Sequence, residues 1–269
     1  MSPDLSFAID AVTRAGEMQL AMRSGAHVSE KSHRTDIVTD VDLAVERMFH
    51  ALVVERHSGD GVLGEELAER RATSGRRWLF DPVDGTANFA SGIPFFCASL
   101  ALEVDGVISV AAVYEPTRRE LFTAERGHGA RLNDQPIRVS ATAEIADAMV
   151  GCGFPHGATV RDAETERAVA EFAVRSRGFR RLGSAALDLS YVACGRLDVF
   201  WDKNLKPWDM AAGALIVVEA GGTVTSLAGG DFSNYTGGVL ASNGRLHAFT
   251  AQVLAPERPP RELSPIDHE

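Results

Sequence analysis

The stretch Asp81-Pro82-Val83-Asp84-Gly85-Thr86 is the most informative part of this sequence for both the fold and the predicted chemistry. It places two carboxylates three residues apart, directly after the apolar run Trp78–Phe80. This pattern predicts a strand that ends in a tight turn and aims several oxygen atoms at one point. Such thiol-free oxygen sets suit Mg²⁺ or Mn²⁺. The Gly-Thr pair that opens the next element can offer backbone N–H groups to a phosphate. The stretch therefore predicts metal-assisted phosphate chemistry.

The composition is that of a folded globular chain with an acidic surface. Of 269 residues, 45% are hydrophobic and 24% are charged, which permits one large unit with a substantial core. The 37 acidic residues against 27 basic ones give a formal net charge of −10. An acidic surface argues against nucleic-acid binding and against binding to anionic membranes. A phosphorylated substrate remains compatible, because a bound cation inverts the local field.

The cysteines and the apolar segments predict a cytoplasmic protein. Cys97, Cys152 and Cys194 are far apart, so neither a disulfide framework nor a thiolate metal site is indicated. Asp4, Asp10 and Glu17 interrupt the first apolar residues, unlike a signal peptide. No window approaches the roughly 20 apolar residues that a membrane span requires.

The order of predicted elements indicates an α+β fold. Two helices, near residues 6–23 and 39–57, come first and are followed by antiparallel strands. Asp105-Gly106 predicts a hairpin turn between the strands 98–103 and 107–114. After Val150 helices and strands alternate, with a helix expected over 161–175 and a short strand over 180–182. We expect residues 1–255 to form one catalytic unit, with halves 1–150 and 151–255, and the proline-rich residues 256–269 to form a loose tail.

Five groups of acidic residues stand out, three of them beside glycine or at the end of an apolar run: Asp42, Glu65 with Glu66, Asp81 with Asp84, Asp202, and Asp209. Each alone has an ordinary structural explanation, such as a helix first turn, a solvated loop or a turn. Together they favour a divalent cation, because several carboxylates in one site would repel one another without it.

Competing chemistries find no support. The sequence contains no Gly-x-Ser-x-Gly, no GxxxxGK[ST] loop and no HExxH helix. Its eight histidines form no pair with ligand spacing. Gly127-His128-Gly129 and Gly151-Cys152-Gly153 lack the strand–GxGxxG–helix context of a dinucleotide site.

These motifs, taken in order, resemble the inositol monophosphatase family. The resemblance is carried by residues 81–89, by Gly64-Glu65-Glu66, by residues 208–213, and further by residues 36–42, 183–186 and 219–222. It extends from about Lys31 to about Asn243, and it implies that family's alternating αβαβα layered sandwich, shared with fructose-1,6-bisphosphatase.

The resemblance also implies two or three Mg²⁺ ions, with Mn²⁺ as an alternative. Glu65, Asp81 and the Val83 carbonyl would hold one ion. Asp81, Asp84 and Asp209 would hold a second, with Asp81 bridging.

The remaining implied roles concern the substrate. Thr86, supported by Asp42, would orient and deprotonate the attacking water with Glu65 nearby. The Gly85 and Thr86 N–H groups would receive phosphate oxygens beside Asp84 and Asp209. Residues 183–185 (Gly183, Ser184 and Ala185) and Asp202 would face the alcohol.

The implied activity is Mg²⁺-dependent hydrolysis of inositol-1-phosphate, another sugar-alcohol monophosphate or 2′-AMP, by direct attack of water. Li⁺ sensitivity and a homodimer, reached through residues 107–114, are implied too. Better-known animal members carry Glu at the position of Asp202, so this chain is one methylene shorter there. Lys206 could face the pocket and favour an anionic substrate, or it could be a solvated loop lysine.

Two alternative functions stay open. Histidinol-phosphate phosphatase shares the metal motifs, and Asp202 or a neighbouring acid could bind its cationic amine. Some bacterial relatives are interaction partners of the transcription machinery, which is a non-enzymatic alternative. Fructose-1,6-bisphosphatase and bisphosphate nucleotidase are less favoured, because those relatives are generally longer.

Overall fold

The computed structural model describes residues 1–30, 37–154 and 162–255 of the chain. Its α-helices are α1 (Pro3–Met22), α2 (Asp40–Arg56), α3 (Thr86–Ala90), α4 (Ala163–Arg175), α5 (Ala185–Ala193), α6 (Pro207–Glu219) and α7 (His247–Leu254). Its strands are β1 (Val28–Glu30), β2 (Ile37–Thr39), β3 (Gly61–Gly64), β4 (Arg76–Asp84), β5 (Cys97–Val104), β6 (Val107–Glu115), β7 (Glu120–Glu125), β8 (Ala130–Leu132), β9 (Gln135–Pro136), β10 (Met149–Cys152), β11 (Gly178–Arg180), β12 (Val199–Asp202), β13 (Thr223–Thr225) and β14 (Val239–Ser242).

The two N-terminal helices begin at side chains that cap them. The Ser2 hydroxyl accepts the Leu5 N–H at 3.2 Å, and Pro3 occupies the first turn of α1, where a missing N–H costs nothing. In α2, Thr39 and Asp42 form a reciprocal capping box. Both helices lie close to the ranges that the sequence predicted.

The larger sheet has seven strands in the described residues, in the order β3-β4-β5-β6-β7-β8-β9. β3 and β4 are parallel, and the other neighbours are antiparallel. The predicted hairpin is confirmed: β5 and β6 meet at Asp105-Gly106, where both residues have positive φ, 50° and 82°. A short turn with positive φ at both positions matches the right-handed twist of the strands, which explains the Asp-Gly pair.

The smaller sheet has the order β11-β10-β12-β14-β13 in the described residues. β10 runs parallel to β11 and β12, and β14 runs antiparallel to β12 and β13. β1 and β2 form a separate antiparallel pair.

Within the described residues, helices and sheets alternate in five layers, and three apolar clusters hold these layers together. α1 and α2 cover one face of the larger sheet through residues such as Phe49, Trp78 and Phe80. α5 and α6 lie between the two sheets, where Phe122 and Phe200 are buried. α4 and α7 cover the outer face of the smaller sheet. Each fully buried large side chain contributes roughly 1.5–3 kcal/mol to folding. The predicted αβαβα sandwich is confirmed.

Some details differ from the sequence prediction. The strand expected over 180–182 lies at Gly178–Arg180, because its register is set by pairing with Met149–Gly151 of β10; the chain turns soon afterwards at Gly183, whose φ is +87°. β3 and β10 were not predicted, since each is a four-residue segment rich in glycine. Helix α4 begins at Ala163 after the cap Asp162; Arg161 and the predicted tail 256–269 lie outside the described residues. The division into halves at residue 150 stays a prediction.

His247 joins α7 to the smaller sheet through both of its ring nitrogens. Its Nε2 lies 2.8 Å from Thr225 Oγ1 and its Nδ1 lies 2.9 Å from Ser242 Oγ. Thr225 Oγ1 donates to the Ser226 carbonyl at 2.7 Å, so it accepts from Nε2–H and leaves Nδ1 as an acceptor. Neutral imidazole fits this arrangement, and burial lowers the pKa of His247.

We predict that His247 destabilises the fold on acidification. The unfolded chain, with an ordinary histidine pKa, binds more protons, so the stability from neutral His247 is full above about pH 6.5 and is lost as the pH falls. Urea unfolding at stepped pH should therefore show a smaller acid-side loss for His247→Gln than for the parent. His128→Gln, on an exposed loop, serves as the control. An unchanged pH slope in His247→Gln would contradict this role.

Candidate active site

One cleft of about 820 Å³ collects nearly all the residues that the sequence singled out. It opens where β3, β4 and β12 end and where α3, α5 and α6 begin. Its lining includes Glu65, Asp81, Val83, Asp84, Gly85, Thr86, Gly183, Ser184, Ala185, Asp202 and Asp209. Asp42 does not line the cleft; it is fully buried behind the lining residues, with its Oδ1 3.4 Å from Thr86 Oγ1.

A β-bulge brings Asp81 and Asp84 to the same side of β4. Asp81 pairs with Ser99 and Asp84 pairs with Cys97, so three steps on β4 oppose two steps on β5. Residues three apart on a regular strand face opposite sides, and the extra residue restores them to one side. Pro82 lies inside the bulge, where its missing N–H removes no ladder hydrogen bond.

Buried side chains and backbone groups hold this turn in place. The Asp81 carboxylate accepts the Val83 N–H at 2.9 Å. From α1, the buried Gln19 donates its Nε2 to the Pro82 carbonyl at 2.7 Å. The first helix thus fixes the backbone between the two carboxylates, a contact that sequence reasoning missed.

Asp84 is tied to the start of α5, about a hundred residues further along the chain. Its carboxylate accepts Ser184 Oγ at 2.6 Å, the Ala186 N–H at 2.7 Å and the Ala185 N–H at 3.3 Å. The amide groups at a helix start carry partial positive charge, which suits a carboxylate. This contact joins the residue 81–89 motif to residues 183–186.

Asp209 and Asp202, both from the C-terminal half of the chain, also line the cleft. Asp209 lies in the first turn of α6, and its Oδ2 accepts the Lys206 N–H at 2.7 Å. Asp202 ends β12, and its Oδ1 accepts the Asn204 N–H at 2.9 Å. The Lys206 side chain is exposed and does not line the cleft, so it is the solvated loop lysine of the two alternatives.

The contacts at positions 86 and 85 explain why a threonine and a glycine are found there. Thr86 Oγ1 donates to the Val83 carbonyl at 2.9 Å and lies 3.4 Å from Asp42 Oδ1. Asp42 is in turn fixed because its Oδ2 accepts the Thr39 N–H at 2.9 Å and the Thr39 hydroxyl. Gly85 has a φ of +95°, and a Cβ there would lie 3.0 Å from the Phe95 carbonyl oxygen. Glycine is required for both reasons.

Burial, together with neighbouring negative charge, raises the pKa values of Asp81, Asp84 and Asp209. For Asp81, burial and then the charge of Glu65 raise the pKa well above its ordinary range. Burial also raises the pKa of Asp209, again with Glu65 as the main charged neighbour. For Asp84 burial raises the pKa to about 6, although its hydrogen bonds from Ser184 and α5 oppose the rise. Such carboxylates gain most from a cation that relieves their repulsion.

The donor chemistry fits a hard divalent cation. Carboxylate and carbonyl oxygens line the cleft together with the Cys152 thiol. Burial raises the pKa of Cys152 to about 12 and also raises the pKa of the neighbouring Cys97, so both thiols favour the protonated form. In the described ranges, no three His, Cys, Asp or Glu side chains already form a closed metal cage.

Sequence reasoning missed Asp188 and the role of Gly153. Asp188, in α5, lines the cleft and is 2% exposed; burial and the charges of Asp84 and Asp202 raise its pKa well above the usual range. A charged residue within the apolar run 185–193 was the available signal. Gly153 borders Asp202: a Cβ there would lie 1.7 Å from Asp202 Oδ2. The second Gly-x-Gly therefore makes room for a carboxylate.

Known proteins resemble this chain over nearly its whole length. A family model for the inositol monophosphatase family matches residues 1–258. The chain belongs to the inositol monophosphatase family. It is 40% identical to an inositol-1-monophosphatase of Rhizobium meliloti over 255 residues, covering 93% of this chain and 95% of that protein. It is 38% identical to the Nus factor SuhB of Escherichia coli strain K12 over 249 residues, covering 91% and 93%.

Solved structures of family members have the same fold. The extragenic suppressor protein SuhB of Bartonella henselae superposes with a TM-score of 0.89 at 37% identity, covering 94% of this chain and 98% of that one. An IMPase/NADP phosphatase whose structure contains Mg²⁺ and phosphate superposes with a TM-score of 0.79 at 25% identity, covering 90% of each chain.

We predict that Gly153→Ala displaces Asp202 and destabilises the chain by about 1–3 kcal/mol, because the new methyl group overlaps a carboxylate oxygen. Urea unfolding measures this loss. Gly25→Ala, where a Cβ meets no atom within 4 Å, is the matched control. In an Asp202→Ala background the Gly153 substitution should cost less. An equal cost in both backgrounds would show that Asp202 is not the neighbour that requires glycine.

Proposed function

We propose that this chain is a Mg²⁺-dependent phosphomonoesterase that releases phosphate from inositol-1-phosphate or a related sugar-alcohol monophosphate. The observation that carries the proposal is the meeting of Glu65, Asp81, Asp84 and Asp209 in one cleft with Thr86. Membership of the inositol monophosphatase family supports it.

The proposed metal ligands are the acids that repel one another in the cleft. Glu65, Asp81 and the Val83 carbonyl would hold one Mg²⁺, and Asp81, Asp84 and Asp209 a second; a third ion, or Mn²⁺ instead, is compatible with the same oxygen donors. Bound there, the cations would supply Lewis acidity that acidifies water and neutralises charge on the phosphate and on the departing oxygen.

The chain itself would position the reactants and move one proton. The Thr86 hydroxyl, held between the Val83 carbonyl and Asp42, would accept a proton from the attacking water while passing its own to Asp42. Glu65, on the cleft wall, would help to orient that water, and the Gly85 and Thr86 N–H groups would bind phosphate oxygens. Attack forms the new P–O bond as the bond to the alcohol breaks, without a covalent phosphoenzyme.

Residues from the second half would face the alcohol. Residues 183–185 and Asp202 line that side, and Asp188 adds a second buried acid near Asp202. This acidic wall favours hydroxyl or amine groups over further phosphates. It is the specific observation in favour of the second candidate, a histidinol-phosphate phosphatase, whose substrate carries an amine.

Assembly and location are proposed from family likeness. β6 is mostly buried within the chain, with Val107 half-exposed at its start, so the proposed homodimer rests chiefly on the resemblance. Light scattering that gives a single-chain mass would contradict it. No helix in the described part of the chain combines the length and hydrophobicity of a membrane span. We retain the cytoplasm as the proposed location.

We predict that Asp84→Asn and Asp209→Asn each lower Mg²⁺-dependent phosphate release by at least about 100-fold, because each removes a charge from the cation site. Mg²⁺ should raise the melting temperature of the parent chain but not that of the variants. Circular dichroism checks that both variants remain folded. Turnover near the parent rate in either folded variant would refute the metal assignment.

A substrate panel separates the candidate functions. At fixed Mg²⁺ we expect phosphate release from inositol-1-phosphate, with Li⁺ inhibiting it, and slower release from histidinol phosphate, 2′-AMP and fructose-1,6-bisphosphate. A preference for histidinol phosphate would favour the second candidate. Release from none of the four would favour the non-enzymatic alternative, a partner of the transcription machinery, for which the similarity to a Nus factor is the present support.

A further inference from the structure

Glu46 is a fully buried carboxylate that bonds to the backbone beside Glu65. It lies on α2, and its side chain has no exposed surface. Its Oε2 accepts the Glu66 N–H at 2.8 Å, and its Oε1 accepts the Leu67 N–H at 3.0 Å. His50, one turn further on, has its Nε2 at 3.7 Å from Oε1, which is beyond hydrogen-bond distance. The two amide groups are therefore its close partners.

The residue before Glu65 is also shaped by Glu46. A Cβ on Gly64 would lie 2.1 Å from Glu46 Oε1 and 2.6 Å from its carboxyl carbon. Only glycine lets the end of β3 pass so close to the carboxylate. Glu65 therefore lies between two contacts to Glu46. Before it, Gly64 passes close to the Glu46 carboxylate; after it, the Glu66 and Leu67 N–H groups donate to that carboxylate.

The segment that Glu46 holds is a loop between β3 and its return to the sheet. Val62 and Arg70 close the base of this loop with mutual backbone hydrogen bonds of 2.8 and 2.9 Å. Glu65 lies beyond that base, where the ladder has ended. The Glu46 carboxylate supplies charge-assisted hydrogen bonds at the position that the sheet no longer supports.

We propose that Glu46 is a positioning residue of the metal site. It fixes residues 64–67 and so places the Glu65 carboxylate beside Asp81. This inference rests on the proposed function of the cleft. It assigns to α2 a task separate from that of Asp42, which lies one turn before Glu46 and reaches Thr86 instead.

Substitution should act on cation affinity rather than on the fold. Glutamine at position 46 has nearly the same size and shape as glutamate. It replaces one acceptor oxygen with an NH₂ group, so a donor then faces a backbone N–H and that hydrogen bond is lost. Losing a hydrogen bond that holds a metal-coordinating residue in position, without itself touching the metal, typically weakens metal affinity about 10–100-fold. We expect Glu46→Gln to weaken Mn²⁺ binding within that range.

Glu115 provides a matched control within the same chain. It is equally buried, and its two oxygens accept the Thr117 N–H at 2.8 Å and the Arg118 N–H at 2.9 Å, in a loop that does not line the cleft. Glu115→Gln disturbs the same kind of backbone hydrogen bonds and in addition removes an ion pair with Arg118 at 3.2 Å, so it perturbs the fold at least as strongly. It should leave Mn²⁺ affinity unchanged.

The experiment is calorimetric titration of Mn²⁺ into the full chain, its variants and the double variant Glu46→Gln/Glu65→Gln. If Glu46 acts through Glu65, the double variant should bind Mn²⁺ as weakly as Glu65→Gln alone, whereas a general structural role would weaken it further. Parent-like affinity in Glu46→Gln, equal loss in Glu115→Gln, or additive loss in the double variant would each overturn the inference.

Two further measurements keep the outcome decisive. Gly64→Ala retains the carboxylate but forces the loop away from it, so it should weaken Mn²⁺ binding even if Glu46→Gln does not fold; unchanged affinity would overturn the inference. Titration of the parent chain comes first. If the parent binds no Mn²⁺, the proposed function fails, whereas normal binding by the parent and by folded Glu46→Gln sinks only the positioning role.

Discussion

Mutual repulsion between buried carboxylates is the constraint on which this architecture depends. Glu65 shares one cleft with Asp81, Asp84 and Asp209, and for the three aspartates burial adds to the free-energy cost of charge. The fold meets that cost with backbone amides: Val83 donates to Asp81, Ala186 to Asp84 and Lys206 to Asp209. These bonds anchor each acid while leaving oxygen lone pairs for a cation.

The layered arrangement explains how those amides reach one place. α5 and α6 lie between the two sheets, so the beginnings of both helices can face the end of β4. Their first turns carry Asp209 and the amide groups that hold Asp84. On the opposite face of the larger sheet, α1 and α2 contribute Gln19, Asp42 and Glu46, which hold the backbone and the hydroxyl group behind the cleft. The cleft is therefore supported by helices from two different layers.

Local patterns in the sequence were sufficient for several elements. The apolar spacing of residues 6–23 and the capping residues of α2 depend on neighbours within one or two turns, and both helices formed where expected. The turn at Asp105-Gly106 likewise depends only on residues next to it in the chain. β3 and β10 escaped prediction because each has only four residues, includes glycine and is stabilised by partner strands outside its own segment, β4 for β3 and β11 and β12 for β10. The shift from 180–182 to Gly178–Arg180 has the same origin, since register depends on pairing with β10.

By itself the sequence determined which residue types meet at the site: the carboxylates of Asp81 and Asp84, the glycine at the following turn and a further acid, Asp209, at the start of a late helix. These follow from residue types and from spacing within a motif. Only the tertiary structure decided that Asp84 meets Ser184, that Gly153 makes room for Asp202, and that Asp188 and Glu46 stand beside the predicted acids. Such contacts join residues 20 to 100 positions apart, and their distances arise from the packing of layers, to which no local pattern gives access.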